Sequence, residues 1–451
     1  MMREPAFSLL PRPAPRELRG SRVLVLGLGD TGLSVAHWVE RQGGTPRVAD
    51  TRAAPPRAKD FAGELRTGPF SALLLDQVDL LCVSPGLPLD QVLIAEALQR
   101  RIPVLGDVEL FAWQNNSPVL AVTGTNGKTT VSSLTGHLLR SAGVDCEVAG
   151  NIGPAVLEAA MKRAAPPAAW VLELSSYQLE TTWSLRPHAA TMLNLSEDHL
   201  DRYGGMAQYA AAKARVFLGA RMQVLNRDDA RSLALRAPGA RGVTFGLDVP
   251  PSAQDFGVVD GLLQRGPQSV MAVSELKIHG GHNVSNALAA CALAATLLPL
   301  DALARGLKTF EGLPHRLQLV ATRRGVDWYD DSKGTNVGAT VAALKGLGRP
   351  VVLILGGDGK GQAFSPLAGP ASKHAKAILL IGRDAPLIET ALTGLPTERC
   401  ASLEDAVERA ARHAAPGDAV LLSPACASFD MFRDYRHRGE VFAAAVSALP
   451  A

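Results

Sequence analysis

The stretch VLAVTGTNGKTT at Val119–Thr130 decides the fold of the central part of this chain. A buried-type strand runs into a glycine-containing turn, and apolar residues at helical spacing follow until Gly143, where a helix would end. Such a unit presents free backbone N–H groups and the positive end of a helix to a phosphate chain. The Lys128 ammonium can reach the terminal phosphates, and the Thr129 hydroxyl can bind Mg²⁺. The sequence therefore predicts a binding site for ATP or GTP.

The loop is a shortened form of the general phosphate-loop pattern G-x-x-x-x-G-K-[ST], because Val122 stands where that pattern has its first glycine. A Gly-Lys-Thr sequence can also arise by chance. The flanking strand and helix favour nucleotide binding, because the mechanism requires both of them. The predicted nucleotide-binding residues of the loop are Gly124, Thr125, Asn126, Gly127, Lys128, Thr129 and Thr130.

Composition excludes several classes of protein. The 451 residues, 47% of them hydrophobic, suffice for about three domains with buried cores. The 46 basic and 43 acidic residues nearly balance, which argues against nucleic acid and anionic membranes as partners. Five scattered cysteines without C-x-x-C spacing predict a reduced protein, and the absence of a long apolar stretch predicts no membrane insertion. The proline-rich residues 1–19 are expected to form a flexible extension rather than a signal peptide.

Three α/β segments follow one another along the chain. In the first, predicted strands such as Arg22–Leu26 and Leu80–Val83 alternate with helical sequence, which is typical of a doubly wound sheet. The second contains the phosphate loop and, toward its end, short β-type runs that suggest a meander or a small sheet. The third again alternates buried-type strands with helices. We predict domains over residues 20–107, 108–312 and 313–451.

A second glycine motif, Gly27-x-Gly29-x-x-Gly32, follows the first strand and opens a helix. Asp50 ends the next strand, at the distance expected of an acid that binds the ribose of NAD. However, Thr51 and Arg52 follow it, and the chain already has a nucleotide loop. The same helix end attracts any pyrophosphate. The motif alone leaves three interpretations: a dinucleotide, another diphosphate ligand, which we favour, or a purely structural turn.

Three polar residues of the middle segment are candidate metal ligands. Glu173 ends an apolar strand, where ligands of open α/β sheets collect, so its carboxylate can reach a Mg²⁺ held by Thr129. The alternative is a surface glutamate. His199 stands among acidic residues, yet the pattern alone favours a solvated histidine. Lys213 lies in an alanine-rich helix, and the pattern alone predicts a surface lysine.

The combination of these motifs resembles the Mur ligases, and among them the members that add D-glutamate. The resemblance covers almost all of the chain after residue 20 and rests on short motifs in a fixed order. They are Gly-Leu-Gly-Asp-Thr-Gly-Leu-Ser from Gly27, Ser-Pro-Gly from Ser84, Gly-Thr-Asn-Gly-Lys-Thr-Thr from Gly124, Gly-Asn-Ile-Gly from Gly150, Leu-Glu-Leu-Ser-Ser-Tyr-Gln-Leu-Glu from Leu172, Glu-Asp-His-Leu-Asp-Arg-Tyr from Glu197, His-Asn-Val-Ser-Asn from His282, Gly-Leu-Pro-His-Arg from Gly312, Asp-Ser-Lys-Gly-Thr-Asn from Asp331, Gly-Gly-Asp-Gly-Lys from Gly356 and Ser-Pro-Ala-Cys-Ala-Ser from Ser423.

The resemblance implies that a Rossmann-like first domain binds the UDP part of a UDP-N-acetylmuramoyl-L-alanine substrate. The first glycine loop would face the pyrophosphate, the residues after the second strand would lie near the uracil, and Asn151 would contact the muramoyl part. The implied substrate-binding residues are Gly27, Gly29, Asp30, Thr31, Gly32, Asp50, Thr51, Arg52, Ser84, Pro85, Gly86, Asn151 and Gln178.

The resemblance further implies that a P-loop ATPase-like central domain binds ATP and two Mg²⁺ ions. Asn283 and Asn286, one helical turn apart, would reach the adenine. Arg316 and Asp331 would bind ATP from the third domain, so that domain closure assembles the site. Thr129 and Glu173 would hold one Mg²⁺, and His199 and Lys213 the other. The implied catalytic residues are Lys128, His199 and Lys213.

In this family the lysine that Lys213 matches is carbamoylated by CO₂, which turns it into a carboxylate-like ligand. CO₂ reacts with a neutral amine, and trapping a neutral lysine at pH 7 costs about 4–5 kcal/mol. Burial and a divalent ion would have to supply that free energy. The resemblance therefore predicts that Lys213 is not a free, solvated side chain.

A Rossmann-like third domain would bind the incoming amino acid. The tetrapeptide Asp-Asn-Pro-Arg of the diaminopimelate-adding relatives is absent. Instead Thr335, Lys360, Ser428 and Tyr435 match positions that bind D-glutamate, although Tyr435 stands where other members have phenylalanine.

The resemblance thus implies ATP-driven amide-bond formation through an acyl phosphate, by a monomer in a bacterial cytoplasm. Three alternatives remain: another amino-acid ligase of the same superfamily, an NAD-dependent oxidoreductase that uses the first glycine motif, and a non-catalytic nucleotide-sensing or scaffold protein.

Overall fold

The computed structural model describes residues 6–199, 202–237 and 239–450. The chain divides into two compact units. The first unit comprises Met1–Gly257, Gln264–Val270 and Ala289–Gly306, and the second comprises Val258–Leu263, Met271–Leu288 and Leu307–Ala451.

The first sheet has five parallel strands among the described residues, in the order β3-β2-β1-β4-β5. The strands are β1 (Arg22–Leu26), β2 (Thr45–Asp50), β3 (Glu64–Thr67), β4 (Leu80–Val83) and β5 (Val104–Leu105), and the helices of this part are α1 (Asp30–Arg41), α2 (Val92–Gln99) and α3 (Asp107–Gln114). The strand order reverses between β1 and β4, and ligands of doubly wound sheets bind at such a point.

The segment that precedes β1 packs into the core of the first unit. Phe7, Leu10 and Leu18 are all buried in the core of the first unit. This packing differs from the flexible extension expected over residues 1–19, because the rest of the first unit covers these apolar side chains. Residues 1–5 of that extension lie outside the described residues.

The second sheet contains the phosphate loop. Its strands are β6 (Val119–Thr123), β7 (Cys146–Gly150), β8 (Ala169–Glu173), β9 (Ala189–Met192), β10 (Gln223–Asn226), β11 (Gly242–Phe245), β12 (Phe256–Val259), β13 (Leu262–Arg265) and β14 (Gln268–Ala272), and the helices that follow in chain order are α4 (Lys128–Ser141), α5 (Val156–Lys162), α6 (Ser176–Glu180), α7 (Met206–Ala214), α8 (Ala230–Leu233), α9 (Gly281–Ala294) and α10 (Leu300–Thr309). Strands β7-β8-β6-β9-β10-β11 run parallel in that order. Strands β10 and β11 thus extend the parallel sheet, and β12, β13 and β14 continue it as neighbours in chain order, which agrees with the meander that the sequence offered as one of two possibilities.

The third sheet lies in the second unit, with the order β15-β16-β20-β17-β18-β19. All its pairings are parallel except that of β15 with β16. The strands are β15 (Gln318–Arg323), β16 (Val326–Asp330), β17 (Val351–Gly356), β18 (Ala375–Ile381), β19 (Thr397–Arg399) and β20 (Ala419–Leu422), and the helices are α11 (Val337–Leu347), α12 (Ala368–His374), α13 (Ala385–Ala391), α14 (Leu403–His413) and α15 (Tyr435–Ala448). The motifs from Asp331, Gly356 and Ser423 therefore follow three adjacent strands, β16, β17 and β20, at one edge of the sheet.

Within the described part of the chain, we find no helix with the length and apolarity needed to span a bilayer.

Candidate active site

A cleft of about 660 Å³ lies at the carboxyl ends of β1, β2, β4 and β7 in the first unit. It is lined by all but one of the residues that the sequence assigned to the UDP-containing substrate: Gly27, Gly29, Asp30, Thr31, Asp50, Thr51, Arg52, Ser84, Pro85, Gly86, Asn151 and Gln178. Other lining residues were not predicted, among them Phe70 and Glu158, together with the segment Ile152–Ala155 that follows Asn151. The structure thus brings four separate loops together around one ligand-sized space.

Gly32, the remaining predicted residue, acts through packing. A Cβ atom placed on Gly32 would lie 1.8 Å from the carbonyl oxygen of Gly27. Helix α1 therefore approaches the end of β1 more closely than any side chain permits, as the third glycine of such motifs requires. Gly27 itself has a φ of +88°, which a residue with a side chain rarely adopts.

Asp50 is buried and is bound entirely by protein groups. Its carboxylate accepts hydrogen bonds from the Leu28 N–H at 2.7 Å and from the backbone and guanidinium of Arg52 at 2.6–2.9 Å. The hydrogen bond from the Arg52 side chain is the main cause that lowers the pKa of Asp50 to about 2. Because these groups occupy the carboxylate, Asp50 holds the glycine loop in place and is not the free ribose acceptor that NAD requires.

The phosphate loop joins β6 to α4, as predicted. Gly127 caps the helix with a φ of +85°, and Gly124 has a φ of +152° with Leu193 packed against it. The segment after β9 holds the loop from the side: the Asn126 N–H donates to Asn194 Oδ1 at 2.8 Å, and Asn194 Nδ2 donates back to the Asn126 carbonyl at 3.0 Å. Asn194 therefore helps to fix the conformation of the loop.

Two ammonium groups converge on this loop. Lys128 Nζ donates to the carbonyls of Gly124 and Thr125 at 2.9 and 2.8 Å, and Lys213 Nζ donates to the same Gly124 carbonyl at 2.8 Å. Lys213 is only 2% exposed, and its Nζ lies 4.8 Å from the centre of the Tyr209 ring. Two effects lower the pKa of Lys213 well below its ordinary value: burial, which is the larger, and repulsion from Lys128. The expectation that Lys213 is not a solvated side chain is confirmed, and the surface position suggested by pattern alone is wrong.

Glu173 links the loop to the substrate cleft. Its Oε1 accepts a hydrogen bond of 2.6 Å from Nδ2 of Asn151, which lines the cleft, while its buried Oε2 has no hydrogen-bond partner. A buried carboxylate oxygen without a partner is a suitable Mg²⁺ ligand, because Mg²⁺ uses one or two carboxylates together with phosphate oxygens and water. Among the described residues no group of three His, Cys, Asp or Glu forms a metal cage, so any Mg²⁺ here would depend on other ligands as well. The residues present fit such a site.

His199 lies in the turn that follows β9 and Asn194. Its side chain is 44% exposed, and its Nε2 lies 3.7 Å from Asp198 Oδ2. The ring packs against Tyr177, with 5.0 Å between the centroids. The structure thus agrees with the exposure that the pattern favoured. The next two residues of this motif, Leu200 and Asp201, lie outside the described residues.

The second unit contains a cleft of about 430 Å³ beside the start of α9. Asn283 and Arg316, both predicted to bind ATP, line it together with His279. Asn286 does not line the cleft, but its Nδ2 donates to Asn283 Oδ1 at 3.1 Å. Asp331 does not line this cleft.

Asp331 directly follows β16 and is held by neighbouring loops. Its carboxylate accepts hydrogen bonds from the Leu317 N–H at 3.1 Å and from Ser423 Oγ at 2.7 Å. Burial raises its pKa to about 7. Asp331 therefore ties the motif after β16 to the motif after β20.

The residues predicted to bind D-glutamate follow β16, β17 and β20. Thr335 lies before α11, Lys360 has a φ of +51° in the loop after β17, Ser428 is buried after β20, and Tyr435 begins α15. Sequence reasoning missed Lys333, whose Nζ lies 4.0 Å from the centre of the Tyr435 ring. Its place in the motif from Asp331 is the signal that could have found it.

Family models match three parts of the chain: the Mur ligase MurD-like N-terminal domain over residues 21–106, the Mur ligase middle domain over 122–294, and the Mur ligase glutamate ligase domain over 315–426. The chain is 53% identical to the UDP-N-acetylmuramoylalanine–D-glutamate ligase of Nitrosospira multiformis, over 96% of this chain and 97% of that protein. It is 54% identical to the enzyme of the same name from Thiobacillus denitrificans, over 96% and 98%.

Two solved structures share the fold at low sequence identity. MurF from Acinetobacter baumannii superposes with a TM-score of 0.62 at 19% identity, covering 96% of this chain and 92% of that one. UDP-N-acetylmuramate-alanine ligase MurC from Thermotoga maritima gives a TM-score of 0.59 at 18% identity, covering 95% and 99%. With three matched domain models and relatives more than 50% identical over nearly the whole length, the chain belongs to the Mur ligase family, with its three-domain α/β architecture.

Proposed function

We propose that this chain uses ATP to join D-glutamate to UDP-N-acetylmuramoyl-L-alanine during the synthesis of peptidoglycan precursors. The relatives that are about half identical over their whole length carry the name of that ligase. The structural observation that carries the proposal is the hydrogen bond from Asn151 to Glu173. Through this bond, Asn151, which lines the cleft of the first glycine motif, contacts Glu173, whose strand β8 lies beside the strand that leads into the phosphate loop. An acid bound in that cleft would therefore end next to the triphosphate.

In this proposal the 660 Å³ cleft binds the UDP-sugar. The helix end at Gly29 attracts the pyrophosphate, and Arg52, whose side chain is half exposed, adds positive charge near the uracil. Asn151 and Gln178 orient the muramoyl part, and its L-alanyl carboxylate reaches toward Glu173. The phosphate loop binds ATP through its backbone N–H groups and Lys128, and we assign Asn283, Asn286, Arg316 and Asp331 to ATP binding as well.

Thr129 and Glu173 would hold one Mg²⁺, and His199 with a carbamoylated Lys213 would hold a second. These ions would neutralise the charge of the triphosphate. Lys213 supports this assignment because burial and Lys128 favour its neutral amine, the form that reacts with CO₂. The D-glutamate would bind to Thr335, Lys360, Ser428 and Tyr435.

The chemistry has two steps. The L-alanyl carboxylate attacks the γ-phosphate of ATP, which forms an acyl phosphate and releases ADP. The amine of D-glutamate then attacks the acyl carbon, and phosphate leaves as the amide bond forms. Both first reactants are anions, so fixed positive groups such as Lys128 and the helix end must offset their repulsion. Alignment of the substrates can supply roughly 7–11 kcal/mol of the barrier reduction.

We further propose that the protein acts as a monomer in the bacterial cytoplasm and that its domains are bounded near residues 20, 108 and 313. The test of the function is phosphate release by the purified chain, measured with panels of UDP-muramoyl acceptors and amino acids. Release that requires UDP-N-acetylmuramoyl-L-alanine, D-glutamate and ATP together, with the extended product seen by mass spectrometry, supports the proposal. Release with a different acceptor or amino acid would identify another ligase of the superfamily, and no release with any pair would reject the proposal.

A further inference from the structure

Arg438, on the first turns of α15, is a fully buried arginine without a carboxylate partner. Its side chain is 0% exposed, and no ion pair among the described residues includes it. One of its guanidinium nitrogens, Nη1, is buried and donates no hydrogen bond. Burial lowers the pKa of Arg438 to about 10, so the group remains charged at neutral pH. The carboxylates of Asp430, Asp330 and Asp331 stabilise this charge from a distance, but none of them forms an ion pair with it. Burial of a cation without a direct ion pair is costly to stability, and the bonds that the guanidinium makes instead indicate its role.

The bonds of this guanidinium join two loops. Arg438 Nε donates to Ser332 Oγ at 2.9 Å, and Nη2 donates to the carbonyls of Ser332 at 2.8 Å and of Cys426 at 3.1 Å. Ser332 Oγ in turn donates to the Tyr435 carbonyl at 2.7 Å. Ser332 belongs to the motif after β16 and Cys426 to the motif after β20. The planar guanidinium of Arg438 thus holds both motifs against the start of α15.

The two loops carry residues assigned above to D-glutamate. Thr335 follows Ser332 in the first loop, and Ser428 follows Cys426 in the second. The second loop needs external support, because Ala425 has a φ of +57°, a conformation that residues with a side chain rarely adopt. A displacement of either loop would separate groups that must reach the same small ligand.

We propose that Arg438 is a positioning residue for the amino-acid subsite: it fixes the loop at Ser332 relative to the loop at Cys426, so that Thr335 and Ser428 face one bound D-glutamate. This inference rests on the proposed function. Arg438 does not touch the substrate itself, and its buried positive charge also favours the two carboxylates of D-glutamate over neutral amino acids.

The test compares the full-length variants Arg438→Met and Arg438→Lys with the control Arg349→Met. Arg349 is a bonded arginine of the same sheet, but it lies before β17, at the opposite edge, where it donates to Asp327 and Tyr329. The KM values for D-glutamate, ATP and UDP-N-acetylmuramoyl-L-alanine are measured for each protein, together with its unfolding temperature.

We expect Arg438→Met to raise the KM for D-glutamate at least tenfold while the KM for ATP changes less than twofold. Arg438→Lys should recover part of the loss, because one ammonium can reach one carbonyl but cannot bridge both. Arg349→Met should leave the KM for D-glutamate within twofold of the wild type.

Equal changes in all three KM values, or an unchanged KM for D-glutamate in a folded Arg438→Met protein, would overturn the positioning role. So would failure of both Arg438 variants to fold, since the residue would then serve stability alone. If the wild-type chain itself shows no turnover that depends on D-glutamate, the proposed function is rejected first and the positioning role with it.

Discussion

Gly32→Ala provides a direct test of how the first glycine motif builds its cleft. The added Cβ would lie 1.8 Å from the Gly27 carbonyl oxygen, whereas real Cβ contacts essentially never fall below 3.0 Å. Helix α1 and the loop after β1 would have to separate by about 1.2 Å or more, and neither neighbour is a flexible side chain that can move aside. Overpacking of this kind costs about 1–3 kcal/mol, and we expect about 3 kcal/mol because backbone must shift.

The variant should therefore lose stability and substrate affinity together. Unfolding in urea, followed by tryptophan fluorescence with Trp38 on α1 as one reporter, measures the first loss. The KM for the UDP-sugar measures the second, and we expect it to rise at least tenfold, because movement of α1 withdraws its N-terminus from the pyrophosphate.

Gly29→Ala is the matched control for stability. A Cβ on Gly29 meets no atom within 4 Å, and its φ of −94° suits any residue. We expect its unfolding free energy to remain within about 0.5 kcal/mol of the wild type. A Gly32→Ala protein with wild-type stability and an unchanged KM for the UDP-sugar would refute the reasoning.

Three further predictions follow from the site. Lys128→Ala should abolish ATP-dependent turnover, and a kcat close to the wild-type value would contradict its role at the phosphates. Asp50→Asn should destabilise the folded chain by about 2 kcal/mol at pH 7, since the carboxylate pKa is lowered from 3.8 to about 2. The difference in unfolding free energy between the two proteins should shrink as the pH falls from 4 toward 2. A difference in urea unfolding that does not depend on pH would contradict this role of Asp50. Supplying ¹³C-labelled CO₂ with Mg²⁺ should give a carbamate NMR signal that is absent from Lys213→Arg, because a guanidinium is not carbamoylated, and an identical signal from both proteins would exclude Lys213 as its source.

The first glycine motif and the phosphate loop could be predicted from sequence because their chemistry is local. Gly27 and Gly32 meet within one strand–turn–helix unit, so their spacing alone fixes the contact. The same holds for Gly124 and Gly127. Asp50 and Ser84 lie at the carboxyl ends of two different parallel strands. The alternation of strands and helices in the sequence already predicts that these ends lie at the same edge of the sheet.

Other features depend on which surfaces pack together, and short patterns carry no such information. Phe7 and Leu18 lie in a short proline-rich segment, and only the folded chain shows what covers them. Arg438 lies on a helix of ordinary polar sequence, so its burial could not be predicted. Lys333 escaped notice because its partner, Tyr435, is about a hundred residues away.

Lys213 shows how packing creates a chemical property that the sequence does not reveal. Its side-chain nitrogen and that of Lys128 donate to the same Gly124 carbonyl, and this proximity to Lys128 together with burial favours the neutral amine of Lys213. Conversion of that neutral amine to a carbamate would place a buried anion beside the bound triphosphate. Such an anion is tolerated only with a cation next to it. Carbamoylation and Mg²⁺ binding should therefore be coupled, and the labelled carbamate signal should weaken when Mg²⁺ is removed by a chelator.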